Sequence, residues 1–214
     1  NTVHRASGIE LEAAQVRFDA SGTATLMVGS VHHGQGHDTT FTQILCDRLG
    51  LTPDDVRYVS GDTDMVTFGR GSFASRSAAL GGSAVALAGE KIIEKGRIIA
   101  AHLMEAAEDD VFFDDGRFTV SGTDRGVDLV DVARAAYQPR LLGRGIEPGL
   151  DELAMFVPSA LNFPNGCHIA EIEIDPDTGA LEIIRYVVVD DFGTIVNPLL
   201  LEGQIHGGLA QGIG

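Results

Sequence analysis

The chain has no tryptophan, two cysteines, and only 15 lysines and arginines against 31 aspartates and glutamates. The resulting formal charge of −16 repels phosphate backbones and anionic membranes, which argues against nucleic acid as a partner. Cys46 and Cys167 lie far apart and form no CxxC. Neither a disulfide framework nor a structural zinc site is expected from them, and a reduced, cytoplasmic setting fits. No apolar run reaches the ~18 residues of a membrane span, and no signal peptide is visible. GxSxG, Walker A and HExxH patterns are absent as well. Glycine, by contrast, is abundant. The 27 glycines are about 13% of the chain, against a usual ~7%. They are not periodic, which excludes collagen, and they point to a site built from close-approaching main chain. Hydrophobic residues at 44% and charged residues at 21% are ordinary globular composition. A chain of 214 residues buries roughly 70% of its unfolded surface, enough for one large domain or two small lobes.

The hydrophobic pattern predicts an α+β fold with two lobes. Each lobe is a β-hairpin or small mixed sheet with helices packed on it, and one long helix is central. In the first lobe, residues 1–137, Ala14, Val16 and Phe18 alternate with polar neighbours. Asp19-Ala20-Ser21-Gly22 turns, and 23–31 returns as a strand. Phe41, Ile44, Leu45 and Leu49 then recur at helical spacing, with Gly50 placed to end the helix. Thr52-Pro53-Asp54-Asp55 reads as a capped turn before a strand over 56–60. From about Ser75 the pattern is one long helix that buries Val85, Ile92, Ile99 and Leu103. A strand pair follows around 111–113 and 118–120, then a short helix over 129–137. Residues 138–166, with Pro139, Pro148, Pro158 and Pro164, read as an irregular arm. The second lobe, 167–214, repeats the pattern: strands 167–175 and 181–190, a glycine turn, and a helix with Leu201, Ile205, Leu209 and Ile213 on one face. The chain starts at Asn1 and stops at Gly214, straight after that run, so it reads as a piece of a longer polypeptide.

Three segments carry candidate chemistry. In His32-His33-Gly34-Gln35-Gly36-His37-Asp38, two glycines flank one amide just before a helix. Backbone N–H groups and an amide at a positive helix terminus suit a flat polar heterocycle or a phosphate. The alternative is a tight strand-to-helix turn with no ligand. Three close histidines also raise a metal, but no second ligand cluster stands out, and no metal ligand is assigned. His32-His33 resembles part of an acyltransferase HHxxxDG, with its glycine and aspartate misplaced.

The second segment, Gly69-Arg70-Gly71-Ser72-Phe73-Ala74, matches GxGxxA but follows a polar loop rather than an apolar strand. Ser75, Arg76 and Ser77 after it combine hydroxyls, N–H groups and a guanidinium at a predicted helix start, a suitable phosphate cradle. Plain serine N-capping is the alternative. In the third segment, Gln204 sits among Gly203, Gly207 and Gly208 in a helical pattern. Glycines there serve close packing or ligand approach, and a small-residue helix crossing is equally compatible. Asp62 and Asp64 read as turn formers, His102 as a solvated or packed helix residue, and the acidic run 105–115 as surface.

Taken in order, Gly34-Gln35-Gly36-His37, Gly61-Asp62-Thr63-Asp64, Ser75-Arg76-Ser77, Asp191-Phe192-Gly193 with Asn197-Pro198, Gly203-Gln204-Ile205-His206-Gly207-Gly208 and Gln211-Gly212 resemble a known family. It is the molybdenum-binding large subunit of the xanthine dehydrogenase, aldehyde oxidase and carbon monoxide dehydrogenase family, in its second cofactor-binding domain. The resemblance covers nearly the whole chain and is weakest over 105–165. It implies that Gly34, Gln35, Gly36 and His37 line the molybdenum–pterin end, with Gln35 near the metal's oxo group. Ser75 and Ser77, with Arg76, would hold the phosphate, and Gln204 would hydrogen-bond the pterin. In bacterial members the cofactor is usually molybdopterin cytosine dinucleotide.

The implied reaction is oxidative hydroxylation of an aldehyde, N-heterocycle or similar small substrate using water. Electrons would leave to iron–sulfur clusters and FAD on other chains or domains. The implied partners are the remainder of the large subunit and the iron–sulfur and flavin subunits. The family's base glutamate is expected beyond residue 214 and its first molybdenum domain before residue 1, so no catalytic residue is assigned and the fragment is expected to be inactive alone. Phe192 stands where many relatives carry cysteine. Two other readings stay open: a nucleotide-dependent oxidoreductase using 69–74, and a non-catalytic assembly module.

Overall fold

The computed structural model describes residues 2–3, 11–160 and 162–214. In chain order the first elements are β1 (Thr2–Val3), β2 (Glu12–Phe18), β3 (Ala24–Val28), α1 (His37–Leu49) and β4 (Val56–Val59). They are followed by α2 (Ser83–Leu103), β5 (Val111–Asp114), β6 (Arg117–Val120), β7 (Gly126–Asp128) and α3 (Leu129–Ala136). The last elements are β8 (Asp151–Phe156), β9 (Asn165–Ile174), β10 (Leu181–Asp191) and α4 (Pro198–Ile213). The result is a mixed α+β fold of small sheets and four helices, as the hydrophobic pattern predicts.

β2 and β3 form the expected hairpin, in register from Ala14 opposite Val28 to Phe18 opposite Ala24. The Asp19 carboxylate closes the turn by accepting from the N–H of Ser21 at 2.8 Å and of Thr23 at 3.2 Å. β4 adds parallel to β3 and β8 antiparallel to β2, giving the order β4-β3-β2-β8. A parallel neighbour needs a crossover, and α1 supplies it. Its Gly50 ends α1 at φ 62°, the left-handed conformation that glycine adopts without steric cost. Thr52 and Asp55 cap one another ahead of β4, as the sequence suggests.

The long helix begins with a wide π-type turn at Ser77–Gly82 and runs into α2, 27 residues in all. Val85, Ile92 and Ile99 are buried against Val16, Phe18, Leu26 and Leu45, and Leu103 is partly buried beside them. Two of its glycines permit close packing. A Cβ on Gly81 would stand 2.9 Å from Phe41 Cζ, and one on Gly96 2.7 Å from Phe118 Cζ.

Two elements exceed the sequence reading. The 111–120 pair gains a third strand, β7, against β6. And 138–166 is not irregular throughout: β8 lies within it as an edge strand. Only Ala154 of that strand is buried, and Asp151-Glu152 opens it, so its apolar signal is weak. The third sheet, in the order β1-β9-β10, stands apart from the first and is exposed on most of its surface. No helix among the described residues is long and apolar enough to cross a membrane.

Candidate functional site

The turn between β3 and α1 is shaped by its glycines. Gly34 has φ 96°, and Gly36, at the N-terminus of α1, has φ 78°. Gly36 is doubly constrained, because a Cβ there would also stand 2.6 Å from Leu200 Cδ1 of α4. At Gly34 an added Cβ would meet open space. Gln35 folds onto its own turn. Its Oε1 accepts from the His33 N–H, and its Nε2 donates to the Val31 carbonyl at 3.3 Å.

His37 opens α1. Its ring is buried, stacks on Phe41 at 4.8 Å, and leaves Nδ1 without a partner. Burial pushes this imidazole below its usual pKa, the neighbouring His32 adds to that, and the Val31 carbonyl opposes it. His32 and His33 are exposed, and no group of three metal-binding side chains occurs among the described residues.

The loop that leads into α2 comes to the same carbonyl. Ser72 Oγ donates to the Val31 oxygen at 2.6 Å, and Ser77 Oγ donates to Ser72 Oγ at 3.0 Å. The loop runs backbone against backbone past the end of β3: a Cβ on Gly29 would stand 2.5 Å from Gly69 Cα. Ser75 is exposed, at φ 56°. Residues 60–68, directly before Gly69, are loop rather than strand, so the GxGxxA stretch lacks the strand–turn–helix context that a dinucleotide fingerprint needs.

Arg76 differs from the expected phosphate ligand. Its side chain points inward and is 1% exposed. Nη1 lies 2.6 Å from Glu12 Oε2 and donates to the Gly71 carbonyl at 2.8 Å, while Nη2 donates to the Leu11 carbonyl at 2.7 Å. Glu12 Oε2 also accepts from Ser30 Oγ at 3.0 Å. With a buried carboxylate and two carbonyls around it, this cation is already partnered inside the fold.

α4 forms the third side. Asn197 caps it by accepting from the Leu200 N–H at 3.0 Å, and its Nδ2 donates to Gln43 Oε1 of α1 at 2.9 Å. This contact ties the start of α4 to α1 and sets Leu200 on Gly36. Gln204 lies one turn further along, on the same face. It lines a cavity of about 390 Å³ with His168, Tyr186, Asp190, Phe192 and Leu209. His168 Nε2 sits 3.1 Å from Asp190 Oδ1 in that wall. An added Cβ at Gly203, Gly207 or Gly208 would meet nothing within 4 Å, so close packing among the described residues does not explain these glycines.

The structure therefore brings Gly34–His37 and Ser77 together around Val31 and seats α4 on Gly36. Sequence reasoning missed Glu12, Ser30, Ser72 and the Val31 carbonyl. Glu12 at the head of an alternating apolar strand was the available signal for a buried charge. Nothing local pairs it with a residue 64 positions away.

Comparison with known proteins identifies the family. The molybdopterin cofactor-binding domain family matches residues 2–214. The carbon monoxide dehydrogenase large chain of Hydrogenophaga pseudoflava is 38% identical over 203 residues, which are 94% of this chain and 25% of that protein. The crystal structure of a Cu,Mo-CO dehydrogenase in its carbon-monoxide-reduced state superposes with a TM-score of 0.87 at 36% identity, over 92% of this chain and 25% of that one. Quinoline 2-oxidoreductase from Pseudomonas putida 86 gives 0.85 at 37% identity, over 94% and 26%. The chain thus spans about a quarter of the length of these relatives. With its fold and almost its whole length matched, it belongs to the molybdopterin cofactor-binding domain family, within the xanthine oxidase family of molybdenum oxidoreductases.

Proposed function

We propose that this chain is one wall of the cofactor cleft in the large subunit of a molybdenum hydroxylase. The observation that carries the reading is the convergence of the Gly34–His37 turn, the serine loop and α4 around the Val31 carbonyl and Leu200. The residues fit a polar, anionic, flat group. The space beside Gly34 is open, and the turn leads into the positive end of a 13-residue helix. Ser75 adds a hydroxyl, Ser77 adds another once its proton turns from Ser72 to the ligand, and Gln35 and Gln204 add amides, each a donor and an acceptor. These neutral donors hold an anion without neutralising it, which suits a chain of charge −16 whose buried Arg76 is already paired.

In this reading Gly34, Gln35, Gly36 and the His37 N–H line the metal–pterin end. Ser75 and Ser77 hold the phosphate, and Gln204 bonds the pterin. When bound, the cofactor, in its cytosine dinucleotide form, supplies the redox centre for hydroxylating an aldehyde, N-heterocycle or similar small molecule with water. Electrons pass to iron–sulfur clusters and FAD on other chains or domains. This chain contributes no general base, so the isolated wall does not turn over. Its unbridged cysteines, Cys46 buried and Cys167 exposed, fit a reduced cytoplasmic setting.

The test uses the full-length subunit produced with its partners. Gln35→Ala and Gln204→Ala each lower the molybdenum bound per subunit, by roughly tenfold or more if these amides act as the supporting shell of the site. Unchanged molybdenum content and activity in both variants would overturn the assignment.

A further inference from the structure

Arg76 is the largest fully buried side chain among the described residues, and its partner Glu12 is equally enclosed. A buried ion pair is weak evidence for stability, since an apolar pair of similar volume often serves as well. The position of this one is more telling. It joins the first residue of β2 to the loop that carries Ser72, Ser75 and Ser77. Arg76 Nη1 bonds the Gly71 carbonyl and so fixes the peptide that leads into Ser72. Ser72 then reaches the Val31 carbonyl, where Gln35 also bonds, and Ser77 bonds Ser72. Between these contacts Ala74 and Ser75 sit at φ 50° and 56°, left-handed conformations that cost a non-glycine residue energy and persist only where the surroundings impose them. Ser30, one residue before Val31, bonds the same Glu12 carboxylate. Both sides of the Val31 junction are therefore tied to one buried ion pair.

We propose that the Arg76–Glu12 pair is a positioning strut for the cofactor cradle, holding Ser72 and Ser77 against the Gly34–Gly36 turn instead of touching the phosphate itself. The inference rests on the reading that Ser77 faces the cofactor. Arg76 acts through the serine loop, so its effect and that of Ser77 must overlap.

The experiment is a double-mutant cycle in the full-length subunit with its partners. Arg76→Lys keeps the charge but cannot reach three acceptors in a fixed fork. Ser77→Ala removes the hydroxyl. The readout is the rate at which extractable pterin is lost on dialysis, with the melting temperature of each variant recorded alongside. Each single variant is expected to lose pterin roughly 10–100-fold faster, and the double variant no faster than the worse single one. Multiplying effects in the double variant, or wild-type retention in Arg76→Lys while Ser77→Ala loses pterin, would overturn the strut. Wild-type retention in Ser77→Ala overturns the serine assignment itself, and the strut with it, whatever Arg76 does. If Arg76→Lys fails to fold, Glu12→Gln crossed with Ser77→Ala runs the same cycle with the same outcomes.

Discussion

At the scale of the residue, His37 shows how one position serves two ends. Its N–H belongs to the first turn of α1, while its ring is enclosed on Phe41 with one nitrogen unpartnered. Enclosure lowers the imidazole pKa. The unfolded chain, with a histidine near ~6.5, therefore binds the proton more readily than the folded one. Stability contributed by this group is fully present above the unfolded value and is lost as pH falls through the lowered folded value. Melting temperatures measured across that range should fall with acidification, and His37→Gln should flatten this part of the profile. An unchanged profile in the variant would show that His37 is not the titrating group. The glycine turn around it was legible because Gly-Gln-Gly before a helical period has few other uses. Arg76 was not: its charge and its place beside two serines suggested a ligand, and only the fold reveals Glu12 beneath it.

At the scale of the element, periodicity and punctuation located the hairpins and helices well. Alternation marked β2, the 3.6 period marked α1 and α2, and Gly50 marked an end that the structure keeps. β8 escaped because an edge strand with two leading carboxylates and one buried residue has little pattern to read. The glycines of α2 look like weak points in a helix, each worth up to ~1 kcal/mol against alanine. Gly96 behaves otherwise, because its missing side chain is where the buried Phe118 ring lies. Gly96→Ala should thus destabilise the protein by about 1–3 kcal/mol through overpacking, despite alanine's better propensity. Chemical denaturation of the variant tests this, and a gain in stability would mean that the ring moves aside freely.

At the scale of the whole molecule, the first sheet and its helices enclose a full core, whereas β9, β10 and α4 leave theirs open. Ile169, Ile174, Leu181 and Val189 are each more than half exposed, and glycines along α4 face empty space. Ile169 and Val189 lie on one side of the β9–β10 ribbon and Ile174 and Leu181 on the other, so apolar surface is open on both sides, which accords with a chain that spans about a quarter of its relatives. The glycines serve two ends: some let main chains touch, as at Gly29 and Gly69, and others, Gly34 and Gly36 among them, hold left-handed turns. In the proposed reading, the charge of −16 leaves anion binding to local N–H and hydroxyl groups.

The most direct measurement is a structure of the full-length subunit loaded with its cofactor. The account predicts the pterin seated on this wall, with main-chain N–H groups at Gly34–His37 and the Gln204 amide at hydrogen-bonding distance, about 3 Å. Ser77 should lie against the phosphate, and Arg76 should remain on Glu12. A cofactor held elsewhere, with the Gly34–His37 turn packed only against protein, would contradict it.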